Sequence, residues 1–191
     1  MNANICKRLC AAAVLILVAM PAMAWAPYFS GGASLGVKMG GDSVRSGGFS
    51  GAAGVRYRVS DMNMRTEFEY SNVIVRKEYK FQTANGPTTY DYDMKTQMYL
   101  VNVYADPQLP LMHSGLHVGL TAGALTYRRD LPDFAGGADA ARTTFVYGAS
   151  AGFGLRLVMG LHLDAGVRYL RTADRDVVAG FSPYAGLRYG F

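Results

Sequence analysis

Cysteine is nearly missing from the 191-residue sequence: the two that occur, Cys6 and Cys10, both fall within its first 24 residues. The remainder is cysteine-free, which excludes a disulfide framework, cysteine-ligated zinc or iron–sulfur clusters and thiol catalysis there. Histidine is limited to three positions, His113, His117 and His162. After residue 24 no apolar run reaches the ~20 residues that a bilayer-spanning helix needs. Helical periodicity is almost lacking as well. The glycines between Gly148 and Gly154 do not follow the Gly-x-Gly-x-x-Gly order and sit inside an alternating segment, so they are not a nucleotide loop.

The first 24 residues have a pattern of their own. Lys7 and Arg8 precede an apolar stretch from Leu9 to Met20, and Ala22-Met23-Ala24 forms a small-x-small site before Trp25. This is the pattern of a cleaved export signal. Cleavage after Ala24 leaves residues 25–191 as one domain, with 17 Lys and Arg against 14 Asp and Glu and a net charge of +3.

Abundance lies elsewhere, in 23 glycines, 13 tyrosines and 9 phenylalanines. These residues alternate with period two through eight segments, near 28–39, 49–59, 64–75, one ending near 105, 115–127, 143–157, 161–170 and 180–191, which is the strand signature. In the last, Phe181, Ala185, Leu187, Tyr189 and Phe191 alternate with Ser182, Tyr184, Gly186, Arg188 and Gly190. The segment ending near Ala105 admits two parities. The one that puts Tyr99, Val101 and Val103 outward is preferred, because it turns Asn102 inward.

A soluble sandwich would alternate too, but three features turn the apolar face toward lipid. About eleven tilted residues span ~26 Å, close to the ~25 Å apolar band of membrane barrels. Aromatics cluster at the strand ends, Phe29, Tyr57, Tyr189 and Phe191 at one and Phe49, Tyr70, Phe145, Tyr169 and Phe181 at the other, as two interfacial girdles would. Connections alternate between short ones, Ser60–Asn63 and Val158–Gly160, and long ones. The expected fold is all-β, an eight-stranded antiparallel up-and-down transmembrane β-barrel with both termini at the periplasmic rim.

These residues resemble the small eight-stranded outer-membrane barrels of the OmpA and OmpX kind, including the opacity-type surface proteins. The most specific likeness is Ala185-x-Leu187-x-Tyr189-x-Phe191, which is similar to the terminal signal read by the barrel-assembly machinery. Leu163-Asp164-Ala165-Gly166-Val167-Arg168-Tyr169 is similar to the family's seventh strand. The resemblance implies export through the periplasm to the bacterial outer membrane, with outer-membrane lipid and the assembly machinery as partners and Leu187, Tyr189 and Phe191 as the assembly signal. Ending at Phe191, the sequence departs from full-length OmpA, so the periplasmic peptidoglycan-binding domain and its function are not expected.

The polar face then lines a lumen that side chains fill, which disfavours a diffusion pore. It carries Lys38, Arg56, Arg58, Arg65, Arg156, Arg168 and Arg188 against Glu67, Glu69 and Asp164. A turn at Ser60–Asn63 sets Arg56 opposite Glu67, Gly54 opposite Glu69, and Arg58 opposite Arg65 and diagonal to Glu67. The expected salt-bridge network comprises Arg56, Arg58, Arg65, Glu67, Glu69, Asp164, Arg168 and Arg188. A three-residue hairpin at Val158–Gly160, with its glycine left-handed, sets Arg156 opposite His162. A polar plug is the plain interpretation, and an ion pathway opened by rearrangement the functional one.

Catalysis fares worse. His162 and Asp164 share a face about 6.6 Å apart, with His117, Ser150 and Ser182 also inward, but no serine has an evident histidine partner. His113 and His117 would be roughly 13 Å apart on a strand, too far to share a metal. No catalytic residue, metal or cofactor is expected. The dispersed basic residues argue against nucleic acid, and a monomer is expected.

Two function classes remain: an anchor that presents extracellular loops for adhesion or surface interaction with a host or cell-surface ligand, and a narrow gated channel or lipid-modifying enzyme that uses the lumen. Val73 to Met94 continues the alternation past the membrane and turns at Asn85-Gly86, a strong hairpin signal. That turn pairs Phe81 with Tyr90, Tyr79 with Tyr92, Lys80 with Asp91 and Glu78 with Asp93. Tyr79, Phe81, Tyr90 and Tyr92 are the expected surface-binding residues.

Overall fold

A computed structural model of the chain describes residues 25–37, 45–60, 62–83, 86–107, 115–129, 141–173 and 180–191, with backbone alone for 76–83 and 87–93. Lys38, Asp61, Asn85 and His113 lie outside the described residues. Eight strands form one closed barrel: β1 Ala26–Val37, β2 Arg45–Val59, β3 Met62–Thr83, β4 Gly86–Asp106, β5 Gly115–Arg129, β6 Arg142–Val158, β7 Leu161–Thr172 and β8 Gly180–Gly190. Every neighbouring pair is antiparallel, and β8 closes onto β1. Closure satisfies the backbone without leaving an edge in hydrocarbon.

Alternation assigns the faces. Phe29, Leu35, Phe49, Phe68, Leu120, Phe153 and Leu187 are exposed on the outer face. On β4 Tyr99 and Val103 are exposed while Asn102 is fully buried, the preferred parity. The aromatic ends follow too, except that Tyr57 is buried, its hydroxyl 3.0 Å from that of Thr66. The described ends, Trp25 and Phe191, share a rim with the two tight turns, at Ser60 and at Met159–Gly160; short turns face the periplasm in membrane barrels.

The structure corrects two registers, each by two residues. Val59 pairs with Met62, so the β2–β3 link is a two-residue turn that starts with Ser60 at φ 54°. Arg56 therefore lies opposite Arg65 rather than Glu67, Glu67 opposite Gly54, Glu69 opposite Ala52 and Arg58 opposite Asn63. At the far end of β3 and β4, Thr83 pairs with Gly86, which moves the turn one residue earlier than Asn85-Gly86. Tyr79 consequently pairs with Tyr90, Phe81 with Thr88, Lys80 with Thr89, Lys77 with Tyr92 and Glu78 with Asp91. A two-residue shift preserves every face, so the hydrophobic pattern is blind to it. The β6–β7 turn keeps the expected left-handed Gly160, at φ 79°, and Arg156 opposite His162, but it is a two-residue turn rather than the expected three-residue one, because Val158 pairs with Leu161 and a bulge between Arg156 and Val158 takes up the extra residue.

The inner face also differs from the expected glycine, serine and charge. That composition holds toward the periplasmic rim. Toward the outer rim Val75, Met94, Met98, Leu100, Leu125, Tyr127 and Val146 turn inward as a buried cluster, flanked by Val73 and Leu170.

Candidate functional site

Four strands supply the charged half of the lumen, β4 through Asp106. On β3, period two brings Arg65, Glu67 and Glu69 to the inner face, and all three are buried. Strands β7 and β8 contribute Asp164, Arg168 and Arg188 by the same rule. Arg168 clamps Glu69 with two parallel hydrogen bonds, Nη1 to Oε1 at 2.9 Å and Nη2 to Oε2 at 2.8 Å. Arg188 donates to Asp164 at 2.7 and 3.1 Å. Such bidentate pairs are the strong form of the interaction. Arg65 lies 3.0 Å from Asp106 and 3.6 Å from Asp164.

Glu67 makes no ion pair among the described residues, yet its buried carboxylate accepts three hydrogen bonds. They come from the Tyr28 hydroxyl at 2.9 Å, the Tyr104 hydroxyl at 3.1 Å and Asn102 Nδ2 at 3.1 Å. Asn102 also donates to Glu69 at 2.7 Å and accepts from Thr121 at 2.7 Å. Tyrosine rings cover the cations: Tyr104 lies 4.7 Å from the Arg65 guanidinium, Tyr184 5.5 Å from that of Arg168 and Tyr28 5.6 Å from that of Arg188, within cation–π reach.

Of the eight expected network residues, Arg65, Glu67, Glu69, Asp164, Arg168 and Arg188 meet in the lumen. Arg56 and Arg58 do not join them, because the tighter β2–β3 turn moves them toward the rim, where neither makes an ion pair among the described residues. Sequence reasoning missed Tyr28, Tyr104, Asp106, Thr121 and Tyr184 as partners. The signal for two of them was available: the parity that turned Asn102 inward also turns Tyr104 and Asp106 inward.

Three of the groups weighed for catalysis are engaged otherwise, while the buried Ser150 hydroxyl has no hydrogen-bond partner among the described residues. His117 Nε2 lies 2.7 Å from the Tyr184 hydroxyl, and Ser182 donates to the Leu35 carbonyl at 3.1 Å. Asp164 is held by arginine. Among the described residues no three His, Cys, Asp or Glu side chains group as a metal site. Glycine makes the packing possible at Gly152, where a Cβ would lie 2.7 Å from His117 Nε2.

The expected assembly-signal residues Leu187, Tyr189 and Phe191 are exposed on the outer face. Phe191 stacks edge-on against Phe29 and Tyr189 at the β1–β8 seam. The expected surface-binding residues Tyr79, Phe81, Tyr90 and Tyr92 lie on the part of β3 and β4 described by its backbone. The last residue of β3 paired with β2 is Arg76, and the last of β4 paired with β5 is Met94. From Lys77↔Tyr92 to Thr83↔Gly86 the two strands pair, among the described residues, only with each other, through seven residue pairs.

The profile of the outer membrane protein beta-barrel domain matches residues 10–191. The chain belongs to that family. As an outer-membrane barrel, it resides in the bacterial outer membrane, in contact with its lipid. Among solved structures it is similar to neisserial surface protein A, with 19% identity over 87% of this chain and 97% of the other at a TM-score of 0.54. It is also similar to Ail, the attachment invasion locus protein of Yersinia pestis, in complex with the heparin analogue sucrose octasulfate. That likeness has 18% identity over 88% of this chain and all of the other, 100%, at a TM-score of 0.51. At these identities the likeness is one of fold. No curated protein matches the chain. The outer-membrane barrel fold makes the two ends of the molecule distinct: a rim of short turns inside, and a protruding β3–β4 ribbon outside.

Proposed function

We propose that the protein is a non-enzymatic surface protein, a barrel anchor that presents its β3–β4 ribbon for adhesion to a host or cell-surface ligand. The observation that carries this reading is the seven residue pairs of ribbon beyond the neighbouring strands among the described residues, which project on the order of 20 Å at ~3.3 Å per residue. A ribbon of that length is unnecessary for spanning the membrane. Tyr79, Phe81, Tyr90 and Tyr92 supply aromatic residues of the kind enriched where proteins bind one another. The charged half of the lumen supports an anchor over a channel, because its cations and carboxylates bridge the lumen from β3, β4, β7 and β8. On this reading the chain is exported on a signal cleaved after Ala24 and inserted as a monomer by the assembly machinery, which reads Leu187, Tyr189 and Phe191.

The test uses the inserted barrel with Tyr79, Phe81, Tyr90 and Tyr92 all changed to serine. Binding to cultured epithelial cells and to immobilised heparin is measured beside the parent; heparin is chosen for the sulfated ligand bound by Ail. Lost binding at unchanged surface level supports the reading, and unchanged binding to both overturns it.

A further inference from the structure

The lumen holds a cavity of about 150 Å³ that runs from Arg65 and Asp164, past Glu69 and Arg168, to the outer ends of the strands at Gly36, Ser46, Met94 and Gly180. Its two sides differ in chemistry. β3, β4 and β5 face it with Val73, Val75, Met94, Met98 and Leu125, while β1 and β2 face it with Gly32, Ser34, Ser46 and Ser50. Glycine and serine are too short to meet the apolar side chains across the barrel, so space remains. An aliphatic wall offers water few hydrogen-bond partners, and a cavity of roughly 150 Å³ with such a wall accepts a benzene-sized hydrocarbon.

The cavity also touches Ala33, Phe181, Ala185 and Leu187, which lie on the outer face of β1 and β8. The lining thus includes the β1–β8 seam itself. Pairing there runs from Tyr28↔Gly190 to Ser34↔Tyr184, stops, and resumes at Val37↔Phe181. The skipped positions are Leu35 and Gly36 on β1 and Ser182 and Pro183 on β8. Proline has no N–H to give to a ladder. The Leu35 carbonyl is bonded instead by the Ser182 hydroxyl at 3.1 Å, which meets the rule that no backbone group face hydrocarbon unbonded. The other seams run without a break apart from the bulge beside the Met159–Gly160 turn.

We propose that the outer half of the lumen is a binding site for a hydrocarbon chain, filled by the acyl chain of an outer-leaflet lipid that enters through the β1–β8 gap beside Pro183. The apolar side chains of β3, β4 and β5 solvate the chain. The glycines and serines of β1 and β2 leave it room, and the charged groups that line the deeper part of the cavity, from Glu69 and Arg168 to Arg65 and Asp164, disfavour hydrocarbon there.

The test places the barrel in nanodiscs whose phosphatidylcholine carries a mid-chain diazirine, and maps photo-adducts residue by residue. A second arm adds a short-chain diazirine fatty acid from water to unlabelled discs. Met98 reports the lumen and its neighbour Tyr99 the lipid face, so alternate residues on one strand separate the two. The expected result is lipid adducts on Met98 and Leu125 that disappear in Ser50→Leu, which fills the cavity, and in Pro183→Ala, which restores the donor. Adducts on Tyr99 persist in both variants and show that they are inserted. Lumenal adducts confined to the fatty-acid arm, or unchanged in Pro183→Ala, overturn entry from the lipid. Absence of lumenal adducts from both arms overturns the site.

Discussion

Near the termini the lumen holds three arginines and four carboxylates, Arg65, Arg168 and Arg188 with Glu67, Glu69, Asp106 and Asp164, every one of them hydrogen-bonded or ion-paired. Near the outer rim the same strands turn Val75, Met94, Met98, Leu125 and Val146 inward and leave a cavity among them. The contrast follows from what burial demands of each kind of group. A buried charge left without a partner costs so much that each of these side chains has one, even though Arg168 Nε itself is left unbonded among the described residues. An apolar wall loses only dispersion contacts where it faces a void. Glu67 shows the rule most clearly, since a carboxylate remote from direct cation contact is held by two tyrosines and an asparagine.

Mutations at the two levels should separate these regimes. The largest effect is expected for Glu69→Ala, which strands Arg168 in the charged half and removes an acceptor from Asn102. Breaking a buried pair costs about 3–5 kcal/mol, and chemical unfolding of the refolded barrel measures it; an unchanged midpoint would mean that water replaces the carboxylate. Leu100→Ala probes the apolar half, where Leu100 is fully buried. Its cost is expected near the lower end of the ~2–5 kcal/mol typical of such truncations, because the neighbouring cavity leaves room for relaxation. A loss equal to that of Glu69→Ala would erase the distinction between the halves.

Gly160→Ala tests the periplasmic turn that positions Arg156 and His162. At φ 79° the backbone is left-handed, and an added Cβ would press on the Gly190 carbonyl. A destabilisation of about 1–3 kcal/mol is expected, read as a lowered melting temperature. The smallest effect belongs to the ribbon: the fourfold serine variant at Tyr79, Phe81, Tyr90 and Tyr92 should change barrel stability by less than about 0.5 kcal/mol per site. A larger loss would tie the ribbon to the barrel's stability and weaken its reading as a binding element.

Much of this organisation is legible in the chain itself. Alternation alone separates Phe68 from Glu67 and Glu69, Tyr99 from Asn102, and Leu187 from Arg188, and it announces eight strands without any helix. Extending the β4 parity from Asn102 to Tyr104 and Asp106 would have found two more members of the network. The apolar half was harder to see, because Val75, Met94 and Leu125 lie at the ends of their segments, where the polar pattern of the inner face no longer holds.

Which residues share a face was thus determined by the sequence, since successive side chains in a strand point to opposite sides whatever they pair with. Which residues meet was decided by the tertiary structure. A shift of two residues keeps every face and moves every partner, so the turns at Ser60 and between Thr83 and Gly86 had to set the registers, against the expectation for Arg56, Arg58 and the ribbon tyrosines. Closure of β8 onto β1 then brought Arg168 to Glu69 across the lumen, whereas Tyr28 reaches Glu67 within the sheet, over Gly54 of β2. The first distance depends on the barrel's circumference, which no single strand encodes.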